Sequence, residues 1–323
     1  MVGSPFQLGG FRIAMAILTP DLDTDLDLGS NGVAQAATPE FEAANERQRR
    51  RLGLLIAMPA YLYLVIFFTI PLLTVVIYSF GTRDRFGGAD LTRFNLDSYR
   101  ELGDELIRTI LLRSAGLAII TTVICLLVSY PFAYYMATRS ETVRNVMLVF
   151  VMIPFWTNFL VRNYAWYVIL GTDGPFSRFT EFIGLGPTRI LFTQVAVVLG
   201  LVYGYLPFMI LPLYAAIERI DGRLMEASRD LYANGWQSFR HVLWPLSLPG
   251  VVAGSILVFI PSLGAYVTPQ ILGGAKTTLL GSYIVTQFLT ARNLPFGSAL
   301  STVLMIIMLT ATIVYFRKGG RTL

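Results

Sequence analysis

The sequence predicts an all-α, polytopic membrane protein with six transmembrane helices and one polar cytoplasmic loop that carries the functional signal. Three observations predict it. The 323 residues are 54% apolar and only 14% charged, where soluble domains run nearer 45–50% apolar and about 25% charged. The mean hydropathy is +0.61. Long uncharged runs recur along the chain, each close to the roughly 20 apolar residues that a membrane crossing requires.

Taken in order, residues 1–46 differ from the rest. They hold Asp21, Asp23, Asp25, Asp27, Glu40, Glu42 and Glu46 against one basic residue, Arg12. The DLDTDLD run approaches a calcium loop but lacks the glycine needed at its sixth position. FRIAMAILTP has no basic region before it and is too short for a signal peptide. This segment reads as an acidic, disordered cytoplasmic tail. Residues 47–323 form the membrane domain. A basic cluster, Arg47, Arg49, Arg50 and Arg51, precedes LGLLIAMPAYLYLVIFFTIPLLTVVIYSF, the first span. Five further spans are predicted at about 110–137, 146–170, 190–217, 247–268 and 298–316. Prolines recur inside them, which neighbouring membrane helices tolerate by satisfying the freed carbonyls. Six crossings put both termini on one side. Lys and Arg at the two flanks and in the short 138–145 loop make that side the cytoplasm.

The composition also excludes. One Cys and one His rule out an internal disulfide and leave no Cys/His metal site. Cys125 reads as a packing residue and His241 as a solvated loop residue near the membrane. The net charge of +5 in so apolar a chain suits anionic lipid head groups, not nucleic acid. All acidic residues fall outside the six spans. Ion-coupled carriers hold carboxylates within the membrane, and an intramembrane aspartyl protease needs a buried pair. No ring of pore charges marks a channel. GGAKTT at 273–278 approaches a phosphate loop, but Ala275 stands before Lys276 and membrane spans flank it. The chain itself has no ATP site. A polytopic transporter without coupling groups is either a channel or takes its energy from a partner.

The one firmly internal charge is Arg162, in PFWTNFLVRNYAW. It marks a pathway-lining candidate or a side chain that snorkels to the interface. PSLGAYVTP, with Pro261, Gly264 and Pro269, predicts a broken helix, which membrane proteins keep where the backbone lines a cavity. The polar loop 218–246 is the longest on the inner side. A helix over 223–237 places Leu224, Met225, Ala227, Leu231 and Trp236 on one side and Arg223, Glu226, Arg229 and Asp230 on the other. Its charges balance, which fits docking to a protein better than lying in the lipid interface.

On these residues the sequence resembles a family. EASRDLYANGWQSFRHVLWP is similar to the E-A-A-x3-G-x9-I-x-L-P loop of binding-protein-dependent ABC importer permeases. Glu226, Ala227, Ser228, Val242 and Pro245 fit it. Tyr232 stands where the family has Gly, so the turn is expected to move to Gly235, and Trp244 stands for its Leu. The family resemblance extends over about 52–316, and within it the three stretches PFWTNFLVRNYAW, SYPFAYYMA and PSLGAYVTPQILGG resemble the polyamine (spermidine/putrescine) type. The resemblance implies a type I permease fold and a coupling surface built on Glu226, Ala227, Ser228, Asp230 and Gly235. With the sequence features above, it places a solute pathway at Trp156, Asn158, Arg162, Ser262, Tyr266 and Gln270. It implies partners: ABC ATPase subunits, which bind the ATP and Mg, a second and non-identical permease, and an extracytoplasmic solute-binding protein. It implies a bacterial inner membrane location and no cofactor on this chain. Polyamine members often have an acid at the position of Ala265 or Gln270, so another small amine, an amino-acid-like solute or an anionic solute stays open.

Overall fold

The computed structural model describes residues 57–84, 87–92, 94–184, 186, 189–274 and 277–319. The acidic tail, the Arg47–Arg51 cluster and Lys276 lie outside the described residues. The chain divides into two compact units, Met1–Val65 and Ile66–Leu323. Of the first, the described part is the start of helix α1 (Ala57–Tyr78). The second holds the remaining elements: hairpin strands β1 (Thr82–Arg83) and β2 (Ala89–Asp90), and helices α2 (Asp97–Glu101), α3 (Glu105–Ala137), α4 (Glu141–Trp156), α5 (Phe159–Leu170), α6 (Pro175–Phe182) and α7 (Gln194–Glu218). Then come α8 (Gly222–Asp230), α9 (Gly235–Leu263), α10 (Val267–Gly273), α11 (Leu280–Leu289) and α12 (Leu294–Gly319).

Among the described residues five helices are long and apolar enough to cross a membrane, or six if α4 and the helix after it count as one bent span. The predicted straight span over 146–170 is therefore corrected. The chain turns by 91° between Glu141–Trp156 and Phe159–Phe182. Thr157 and Asn158 leave helical geometry, with ψ of 147° and 132°. Asn158 Oδ1 then accepts from the Leu160 amide at 2.8 Å and caps the new helix, the role for which Asn is preferred.

Helices α3, α7 and α9 form the core. The buried side of α3 runs Ile110, Ser114, Leu117, Thr121, Cys125 and Ser129, steps of three and four residues that make one helical stripe. Cys125 is fully buried against α7, with Sγ 3.8 Å from the Val202 carbonyl, as the packing reading expects. Gly250 and Gly254 of α9 form a small-xxx-small pair that admits α7 to backbone contact. A Cβ at Gly250 would lie 2.8 Å from the Pro212 carbonyl, and one at Gly254 would lie 2.7 Å from Met209 Sδ.

Two π turns, Val65–Thr69 and Phe239–Leu243, stand just before Pro71 and Pro245. Proline has no amide hydrogen, so the helical ladder must slip there. The second lies inside α9, which starts twelve residues ahead of the predicted 247. At its other end α9 stops at Leu263, and Gly264 to Tyr266 separate it from α10. Pro261 O, freed by this break, accepts from the Tyr205 hydroxyl at 3.3 Å. Helix α11 was not predicted, because ten residues interrupted by Gly281, Ser282 and Thr286 carry no span signal. The Leu280 amide donates to Ser114 Oγ at 2.8 Å, which seats α11 on α3. The hairpin is tied to the α11–α12 loop by Arg83 Nη2, which donates to the Ala291 carbonyl at 2.6 Å.

Candidate functional site

The coupling candidate is built around α8. Arg144 pairs with Glu218 at 2.7 Å, which ties the end of α7 to α4 just before the loop. Asp221 caps α8 through Oδ1, which accepts from the Arg223 amide at 3.0 Å. Met225 packs under the helix against the core cluster that includes Leu243 and Tyr214. Ser228 is buried, and its hydroxyl shares a 2.7 Å hydrogen bond with the Ser238 hydroxyl. This clip holds α8 against the first turn of α9.

The predicted single helix over 223–237 is corrected: it breaks at Leu231–Asn234. Asn234 Oδ1 accepts from the Gln237 amide, and Gln237 Oε1 accepts from the Asn234 amide, both at 2.8 Å. This reciprocal box starts a new helix and so ends the old one. The turn also stays at Tyr232, which adopts φ +60°, and Gly235 is merely the first residue of α9. A left-handed backbone costs a residue with a Cβ about 1–2 kcal/mol. Tyr232→Gly is therefore expected to raise the melting temperature of the purified protein. A lower melting temperature would mean that the tyrosine ring supports the loop.

Leu231, Tyr232 and Trp236 are 82%, 97% and 67% exposed. Glu226, Ala227, Arg229 and Asp230 are exposed beside them. The loop thus presents apolar side chains ringed by balanced charge, the make-up of a protein-docking surface. His241 sits at its edge, exposed, with Nδ1 3.0 Å from the Gln237 carbonyl.

The pathway candidates divide between two places. Tyr266 and Gly264, at the break between α9 and α10, line an open cavity of about 500 Å³ with Gly281, Ser301, Met308 and Thr312. Ser262 is buried in the last turn of α9, and its hydroxyl has no partner among the described residues. Gln270 is exposed on α10. Arg162 lines a second, much smaller cleft with Phe159, Asn163, Trp166, Gly200, Tyr203 and Gly204. Trp156 and Asn158 are exposed at the 91° bend. The structure therefore does not bring Arg162 and Tyr266 into one pocket. Sequence reasoning missed Gly281, Ser301 and Thr312. The only signal for Gly281 is its lack of a side chain, where a Cβ would lie 2.7 Å from the Ala265 carbonyl.

The chain's likeness to known proteins agrees with this architecture. It is 43% identical over 261 residues, 80% of its length and 90% of the relative's, to the spermidine/putrescine transport system permease protein PotB of Haemophilus influenzae. It is 42% identical over 259 residues, 80% of its length and 94% of the relative's, to PotB of Escherichia coli K12. It is 31% identical over 283 residues, 83% and 90% of the two chains, to the inner membrane ABC transporter permease protein YdcU of Escherichia coli K12. Its fold matches a subunit of a bacterial alginate ABC transporter solved with an alginate pentasaccharide-bound periplasmic protein. The TM-score is 0.67 at 16% identity, over 85% of this chain and 97% of that one. Residues 129–317, more than half of the chain and all of the coupling segment and broken helix, match a single family. By that match and these identities, the chain belongs to the binding-protein-dependent transport system inner membrane components.

Proposed function

We infer that the solute moved by this permease is a polyamine of the spermidine/putrescine class. The observation that carries the reading is the 42–43% identity, over 80% of the chain, to permeases named for those solutes. ATP and Mg belong to ABC ATPase subunits docked on Glu226, Ala227, Ser228, Asp230 and Gly235, and this chain binds no cofactor. Closure of those subunits on ATP drives α8 and turns the pathway outward. An extracytoplasmic binding protein then releases its solute, and hydrolysis resets the pathway inward. A second, non-identical permease completes the pathway. Both termini lie in the cytoplasm.

Within the chain, Tyr266 and Gln270 follow the break of α9, and Trp156 and Asn158 stand at the other bend. Irregular backbone at membrane depth is kept where it is buried in protein or lines a cavity, which supports both as walls of the pathway. The methylene stems of a polyamine suit the apolar cavity beside Tyr266. The test is uptake by the complete complex in proteoliposomes with labelled spermidine and putrescine. Accumulation that needs ATP and the binding protein is expected. Transport of an anionic solute with no uptake of either amine would sink the reading.

The acidic tail is dispensable in this scheme. Deleting residues 2–40 keeps Arg47 to Arg51, which hold the orientation signal. Insertion and uptake are expected to stay near wild type. Loss of ATP-dependent uptake in an inserted deletion would make the tail a regulatory element.

A further inference from the structure

The guanidinium of Arg162 has no place in the polyamine pathway drawn above. It lies on α5, one turn after the bend, and its backbone amide donates to the Asn158 carbonyl at 3.1 Å. Nε and Nη1 are buried and have no hydrogen-bond partner among the described residues. The Phe155 and Phe159 rings lie 6.0 and 5.7 Å from Cζ. These rings stabilise the charge but offer no oxygen or nitrogen acceptor to either group. Arginine does not lose its proton in proteins. A buried, charged donor left unpaired is strongly unfavourable. Arg162 as a whole is half-buried, and an acceptor for its two buried nitrogens would come from outside the described residues.

The shape of the cleft limits what that acceptor is. Its volume is about 10 Å³, room for one small group and not for a solute. A polyamine would also be repelled. A water molecule would accept a hydrogen bond but leave the charge uncompensated. One anionic oxygen, reaching in from a neighbouring chain, meets both needs. The surroundings favour a membrane subunit as its source. Val161 and Tyr164 are exposed on the same short helix as Arg162, surface that a neighbouring membrane helix can cover. A Cβ placed on Gly204, at the edge of the same cleft, would meet nothing within 4 Å. That opening admits a close helix, as small residues do in membrane packing.

We propose that Arg162 receives a carboxylate from the second membrane subunit and so fixes the pairing of the two permeases. The inference rests on the reading of this chain as one member of such a pair. The test is co-purification of the tagged chain with the second subunit and the ATPase, at matched amounts of inserted tagged chain. Arg162→Gln is expected to lower the recovered second subunit at least tenfold, and Arg162→Lys to retain part of it. In an Arg162→Glu background, one Lys or Arg substitution at an acidic position of the second subunit should restore recovery and uptake. A variant that had merely misfolded would not be rescued from the other chain. Wild-type stoichiometry with Arg162→Gln overturns the proposal. So does loss of bound anionic phospholipid from that variant while the second subunit remains, which makes a lipid phosphate the ligand. Absence of any second membrane subunit from the wild-type complex would instead overturn the paired-permease reading itself.

Discussion

Glu226→Lys is expected to cut ATP-dependent uptake at least tenfold while insertion into the membrane stays normal. Glu226 is exposed on α8, next to Leu231 and Tyr232, whose apolar surface nothing among the described residues covers. A charge mismatch across a docked interface costs several kcal/mol, and about 1.4 kcal/mol is already a tenfold loss. Met225 and Ser228 hold α8 from its other side, so the substitution leaves the fold of the loop alone. Leu231→Ser should weaken the same step less, because it removes apolar contact without adding repulsion. The measurement is ATPase recovery and uptake in the reconstituted complex. Full recovery and wild-type uptake with Glu226→Lys would move the ATPase contact away from α8.

Gly250→Leu is expected to abolish the folded permease. Its Cβ would lie 2.8 Å from the Pro212 carbonyl and 3.1 Å from Leu213 Cα. Both are backbone atoms of α7 and cannot turn aside as a side-chain end does. Overpacking a core costs about 1–3 kcal/mol even where side chains can shift, so a backbone clash in the central helix pair exceeds that. Gly116→Ala is the matched control, since a Cβ there meets nothing within 4 Å. Size-exclusion profiles of the detergent-solubilised variants separate the two. A monodisperse Gly250→Leu peak at wild-type yield would show that α7 and α9 are not packed as described.

The two predictions differ in how far the sequence alone supports them. The short polar helix that carries Glu226 was legible because the loop has a local signal: polar residues between apolar runs and helical periodicity. The break after Leu263 was legible for the same reason, since Gly and Pro act on the backbone where they stand. The position of the turn was not. Tyr232 disfavours a left-handed backbone, so the turn was expected at Gly235. The Asn234–Gln237 box and the Ser228–Ser238 clip hold Tyr232 at φ +60° instead. The box is a local Asn-x-x-Gln pattern that marks the new helix start, but the clip joins two serines ten residues apart and has no pattern to detect.

The 91° bend is of the same kind. Residues 146–170 are apolar enough for one straight crossing, and only the departure of Thr157 and Asn158 from helical geometry splits them. By itself the sequence determined the class and the approximate helices. Transfer of apolar residues into lipid depends on composition along the chain, and helical faces depend on spacing. Tertiary structure alone decided that Gly281 meets the Ala265 carbonyl, that Tyr266 shares a cavity with Ser301 and Thr312, and that Arg162 stands apart from them with two nitrogens unpaired among the described residues. These are meetings between segments far apart in the chain. Packing geometry fixes them, and no local pattern of residues encodes it.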